Sequence, residues 1–125
     1  MDEESKPQDI KERTFNFAAE IVRYCDALDS GRGTVRTLGR QLLRAGTSVG
    51  ANVEEAQAGQ SRADFISKYS IALKEARESI YWLRLLKVTG ICSDGQPETL
   101  ENLRQEAEQI ARIIGSIIVN TRKGR

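Results

Sequence analysis

Residues 48–86 read SVGANVEEAQAGQSRADFISKYSIALKEARESIYWLRLL, and this stretch decides the fold. Its apolar residues return at intervals of three and four on both sides of a short polar break, which is the period of an α-helix and not the alternation of a strand. Before the break, Val49, Asn52 and Ala56 continue a rhythm begun by Val35, Leu38, Leu42 and Ala45, so one amphipathic helix runs from about Thr34 to about Ala58. After it, Phe65, Ile66, Tyr69, Ala72, Leu73, Ala76, Ile80, Leu83 and Leu86 form a broad apolar stripe, which predicts that this third helix is the central element. The joint GQSRADF places Ser61 as an N-cap with Asp64 three residues on, a variant of the capping box.

Working outward, Ile10, Thr14, Phe17, Ile21, Tyr24 and Leu28 mark a first helix starting near Pro7, with Asp9 favourable to its first turn. Ala18, Val22 and Cys25 flank the same side, and DSGRG ends the helix. Beyond TGICSDGQP, with its Gly90, Gly95 and Pro97, a fourth helix runs from about Glu98 to Thr121 on Leu100, Leu103, Ala107, Ile110, Ile114 and Ile117. Glu108, four residues before Arg112, is placed for a surface pair. Four amphipathic helices joined by short turns can bury their stripes only against one another. The fold class is therefore all-α, an antiparallel up-down-up-down four-helix bundle. It spans residues 9–122, between a flexible N-terminal segment at 1–8 and a basic C-terminal tail at 123–125. Gly39, Gly46 and Gly50 share one side of the second helix and cost about 2 to 3 kcal/mol there relative to alanine. Close approach of another backbone would offset them, and a kink would also account for them. Tyr69, Trp82 and Ile113, on or beside the main stripes, widen the apolar surface and point to self-association.

With 125 residues the chain is one domain, and 39% hydrophobic against 30% charged residues suits a globular fold. Nineteen basic against eighteen acidic side chains leave a net charge of +1, so any attraction to a polyanion must come from local clustering. Histidine is absent, which removes the usual general base near neutral pH, the commonest metal ligand and every Ser-His or Cys-His scheme. No phosphate-cradling glycine motif occurs. Cys25 and Cys92 lack metal-type spacing and read as reduced thiols. Glu75 and Glu78 share a face, but with Lys74 and Arg77 interleaved they read as part of a charged surface network. The expectation is a non-enzymatic chain with no cofactor and no metal. Acids early in the chain argue against a signal peptide, and no segment is apolar enough to span a bilayer, so a cytoplasmic location without membrane contact is expected.

Two polar patterns remain. Ser48, Asn52 and Glu55 fall on one side of the second helix, with Asn52 on the core rhythm itself. A buried amide needs a hydrogen bond, so Asn52 predicts a partner on another helix. A structural network fixing helix register, a ligand site and a subunit interface all fit. The second pattern is Arg32, Arg36, Arg40 and Arg44, at strict four-residue spacing with no acid between Ser30 and Val53. Each step of four turns the row by about 40°, so it winds across one broad face. Repeated arginine suits bidentate contact with the phosphates of RNA or DNA, and Arg122, Lys123 and Arg125 add a second cluster. The same row also reads as a solvated face paired with acids such as Glu12, Glu20 or Glu101, or as a surface for a protein partner. Few aromatics accompany these arginines, so base stacking is not indicated there.

The opening stretch, residues 48–86, resembles the bacterial four-helix-bundle family that includes proteins encoded in intervening sequences of large-subunit ribosomal RNA genes. Ser48, Asn52, Glu55, Ser61, Asp64 and Phe65 match that family's pattern. Ala56 stands where many members carry glycine, as in a subgroup that also shares Lys74, Glu75, Ala76, Glu78, Tyr81, Trp82 and Leu83. The resemblance implies an antiparallel four-helix bundle assembled as a homopentamer, with no catalytic activity assigned. A related branch is the accessory subunit of diversity-generating retroelements. Through it the resemblance implies a reverse transcriptase and nucleic acid as partners.

Overall fold

The computed structural model describes residues 7–92 and 97–124. Four α-helices account for nearly all of them: α1 (Pro7–Asp29), α2 (Thr34–Gln57), α3 (Arg62–Thr89) and α4 (Pro97–Arg122). No strand occurs among the described residues. Residues 1–6 of the expected N-terminal segment, the Asp9 side chain, the break at Gly95 and Arg125 lie outside what is described.

Local chemistry sets the helix ends. Ser61 is extended, with φ −148°, and its hydroxyl accepts from the Asp64 backbone N–H at 3.1 Å, which caps α3 as its sequence requires. At the other end Gly90 adopts φ 61°, a left-handed turn that glycine enters at no steric cost, and its N–H donates to the Leu86 carbonyl at 3.2 Å. α4 starts one residue earlier than its periodicity indicates, at Pro97, because proline at the first helical position sacrifices no hydrogen bond.

Paired positions give the direction of packing. Gly39 lies against Leu28, Gly46 against Ile21 and Gly50 against Thr14, so α2 climbs as α1 descends. Arg44 meets Glu75 while Gln57 meets Tyr69, and Lys87 meets Glu101 while Gly124 approaches Arg62, so the next two seams are antiparallel too. Arg13 on Glu106 and Tyr24 on Cys92 close the ring between α1 and the α4 side. Each helix packs on two neighbours, with α1–α4 the lightest seam and no diagonal pair in contact. The result is the up-down-up-down bundle that four stripes demand. No helix is central, α3 included, because a square of four rods gives every member two neighbours.

The expected rows form the core. Ile10, Thr14, Phe17, Ile21, Tyr24 and Leu28 of α1 are buried, as are Leu100, Leu103, Ala107, Ile110, Ile114 and Ile117 of α4. Tyr69 and Leu83 of α3 are fully enclosed, and Gln57 donates to the Tyr69 hydroxyl at 3.0 Å. Burial pushes that phenol up to about 12. The glycine row is explained by close approach: a Cβ on Gly46 would sit 2.9 Å from the Ile21 side chain, and one on Gly50 would sit 3.1 Å from the Thr14 carbonyl oxygen.

Three placements differ from the sequence reading. On α2 it is Val53 that is fully buried, while Asn52 is half-buried and donates to the Ser48 carbonyl of its own helix at 2.9 Å. Leu42, Ala45, Val49 and Ala56 keep their core places, and at this one turn Val53 takes the buried position and leaves Asn52 at the edge, with no partner on another helix among the described residues. Val22 is turned outward. Tyr69, Trp82 and Ile113 pack into or against the core, so the exposed apolar surface is carried by other residues.

Candidate nucleic-acid interface

Arg32, Arg36, Arg40 and Arg44 lie on the first half of α2 and the turn before it, all exposed. Their drift around the helix carries Arg36 and Arg40 toward α1 and Arg44 toward α3. Nε of Arg36 and Nε of Arg40 share a single oxygen of Asp29, at 3.7 and 3.4 Å. These separations exceed the roughly 2.7–2.9 Å of a strong charge-assisted hydrogen bond, and one carboxylate cannot neutralise two guanidiniums. Side-chain exposures of 50% and 64% leave both arginines facing water. Asp26 and Asp29 line a groove of about 300 Å³ with Arg36, Arg40, Val22 and Leu43. Arg32 makes no hydrogen bond or ion pair among the described residues.

Arg44 is differently placed. Its guanidinium donates to Glu78 at 2.5 Å and to Glu75 at 3.3 Å, clamping α2 to α3. Trp82 Nε1 donates to the same Glu78 oxygen at 3.2 Å. The Arg44 hydrogen bond, followed by that of Trp82, holds the Glu78 carboxyl below its usual range, and Glu78 in turn raises Arg44 further. Glu75 is only 8% exposed, so Arg44 covers a carboxylate that would otherwise be buried alone. The acids that meet the arginine row are therefore Asp29, Glu75 and Glu78. Glu20 instead pairs with Arg23, and Glu101 with Lys87 and Arg104. Glu108 pairs with Arg104 at 2.5 Å in place of Arg112.

The C-terminal cluster sits elsewhere. Arg122 ends α4, and a side chain at Gly124 would lie 3.8 Å from the Arg62 guanidinium at the start of α3. Arg32, at the start of α2, is a helix length away, about 36 Å for 24 residues. Within one protomer Arg122 and Lys123 lie at the end opposite Arg32, and they do not form one surface with the arginine row. Ser48 donates to the Arg44 carbonyl at 2.7 Å, Asn52 to the Ser48 carbonyl, and Glu55 is exposed. The three side chains thus line one edge of α2 without bonding one another.

Sequence reasoning missed Asp29 as the acid serving two arginines and Glu75 with Glu78 as the acids of Arg44. The i, i+3 spacing of those glutamates was the available signal. Burial pushes the Cys25 thiol up to about 12, and neither Cys25 nor Cys92 is in a disulfide. Among the described residues no three His, Cys, Asp or Glu side chains converge as a metal site, and no helix is long and apolar enough to cross a membrane.

A four-helix bundle with a charged, groove-lined outer face is the class these observations define. The family model for the 23S rRNA-intervening sequence protein matches residues 6–116, and the chain belongs to that family. The chain is also similar to a crystal structure from Bacteroides thetaiotaomicron, described as a protein with unknown function from the S23 ribosomal protein family. Identity is 40%, over 87% of this chain and 97% of that one, with a TM-score of 0.77. No curated protein matches the chain.

Proposed function

We propose that the protein is a non-enzymatic, cytoplasmic homo-oligomer that holds RNA or DNA through phosphate contacts without reading bases. The observation that carries this reading is the excess of exposed guanidinium on the turn before α2 and its first turns: Arg32, Arg36 and Arg40 face water against the one carboxylate of Asp29, held at long range. Phosphate oxygens can displace so loose a pairing, and arginine forks suit them bidentately. Arg44 is not part of this set, since two acids occupy it. Self-association, with the homopentamer as the form the family resemblance implies, would repeat the row around an assembly and raise its field. The test is binding of a mixed-sequence RNA at low salt by the parent and by Arg32→Gln/Arg36→Gln/Arg40→Gln. Expected are weaker binding and a salt slope shallower by about 2, at ~0.7 per lost single-strand phosphate contact. Unchanged binding would overturn the role of the row.

A protein-protein scaffold is the second reading, favoured by one observation. Phe15 is 63% exposed on α1, beside a shallow α1–α2 groove that it lines with Ala18, Thr47 and Ala51. Val22 and Leu43 continue this apolar surface toward the arginines. Partners that survive nuclease treatment support this reading, and partners lost with it support the first.

A further inference from the structure

In the chain, Lys74, Glu75, Arg77 and Glu78 alternate in charge, but the fold sorts them. Glu75 and Glu78 are drawn to the α2 seam by Arg44, and Glu78 also takes the Trp82 N–H. Lys74, Arg77, Tyr81, Arg84 and Val88 are left together on the outward face of α3, all exposed and spaced three, four, three and four residues apart. At about 100° per residue these five lie within roughly 60° of the Tyr81 direction, and Lys74 to Arg84 spans about 15 Å. Lys74, Arg77 and Arg84 make no ion pair among the described residues. Between them Tyr81 is 52% exposed, its ring set edge-on to Trp82 at 5.1 Å and 74°. Trp82 is itself half-buried and tied to Glu78, so the Tyr81 ring rests on an anchored neighbour.

We infer that this α3 strip, Lys74, Arg77, Tyr81 and Arg84, is a docking surface for a single-stranded polynucleotide, with phosphates on the cations and a base stacked on Tyr81. The inference rests on the nucleic-acid reading above and adds to it a second surface and a strand preference. A row of exposed cations, Lys74 near the Glu78 carboxylate and Arg77 and Arg84 without an ion pair among the described residues, tracks a phosphate backbone. An exposed ring between two arginines offers what a single strand can use and a duplex cannot, because duplex bases already stack on each other. The α2 row has no ring between its arginines, so it can hold phosphate of either form, whereas the α3 strip selects the open strand.

The test uses the full chain with short labelled RNA and DNA oligonucleotides of mixed sequence, single-stranded and duplex, at low and rising salt. Arg77→Gln/Arg84→Gln touches no ion pair, and its helical circular dichroism should match the parent. Expected are about tenfold weaker single-strand binding and a salt slope shallower by about 1.4. Tyr81→Leu should lose about tenfold and the preference for single strands, while Tyr81→Phe keeps both. Trp82, the single tryptophan, should change its fluorescence on binding in the parent. Three results overturn the inference: unchanged binding by Arg77→Gln/Arg84→Gln, duplex bound as tightly as single strand, or polyglutamate competing as well as nucleic acid. If only the Arg32, Arg36 and Arg40 substitutions abolish binding, the α3 strip falls and the phosphate reading stands. If the parent binds neither RNA nor DNA, both fall.

Discussion

A methyl group at Gly46 would press into the branched Ile21 side chain at 2.9 Å, while one at Gly115 would meet nothing within 4 Å. Both residues lie inside helices, where alanine is preferred to glycine by about 1 kcal/mol in the absence of a clash. Opposite outcomes therefore follow from the same substitution. Gly46→Ala should destabilise by ~1–3 kcal/mol through overpacking, and Gly115→Ala should stabilise by about 0.5–1 kcal/mol, both read from urea denaturation midpoints. Equal effects at the two sites would show that helix propensity, and not the α1–α2 approach, decides. Asn52 teaches a related lesson: its place in the rhythm suggested a core amide, yet its hydrogen bond to its own helix lets it sit at the edge.

Between elements, ionic ties join neighbouring helices where the apolar stripes end. Arg44 meets Glu75 and Glu78 across the α2–α3 seam, and removing it strands a nearly buried carboxylate. Arg44→Met should lower the denaturation midpoint, and Arg44→Met/Glu75→Met should recover most of the loss. A double variant as unstable as the single one would contradict this account. Glu101 accepts from Lys87 across the α3–α4 seam at 2.9 Å and from Arg104 of its own helix, and these hydrogen bonds, that of Arg104 foremost, hold its carboxyl down at about 2, from an ordinary 4.5. A depressed folded value means that the contribution is complete above about 4.5 and is lost as pH falls toward about 2. Denaturation followed across that window should show a shallower pH dependence for Glu101→Gln than for the parent. Parallel curves would mean that these contacts are screened to nothing by solvent.

For the whole molecule, the bundle is a scaffold whose outer faces differ. The α1–α2 face carries Phe15, Val22 and Leu43 beside a loosely neutralised arginine row, and the α3 face carries cations and one ring. Apolar surface next to charge suits contact between subunits. Phe15→Glu should shift the sedimentation of the protein to the monomer while leaving its helical circular dichroism unchanged. A parent already monomeric at high micromolar concentration would remove homo-oligomerisation from the proposal.

Helix count, the antiparallel order and the Ser61 cap were legible in the chain because they depend on neighbours three or four residues away and on short joints. The four-residue arginine spacing was equally plain. Which of those arginines is free was not, since Asp29, Glu75 and Glu78 lie on other helices and reach them only after packing. The same holds for the α3 strip, where acids and bases alternate along the sequence but separate in space. Periodicity sets which side of a rod is apolar, whereas the rotation of each rod against its neighbours decides which charges are matched and which are left to water.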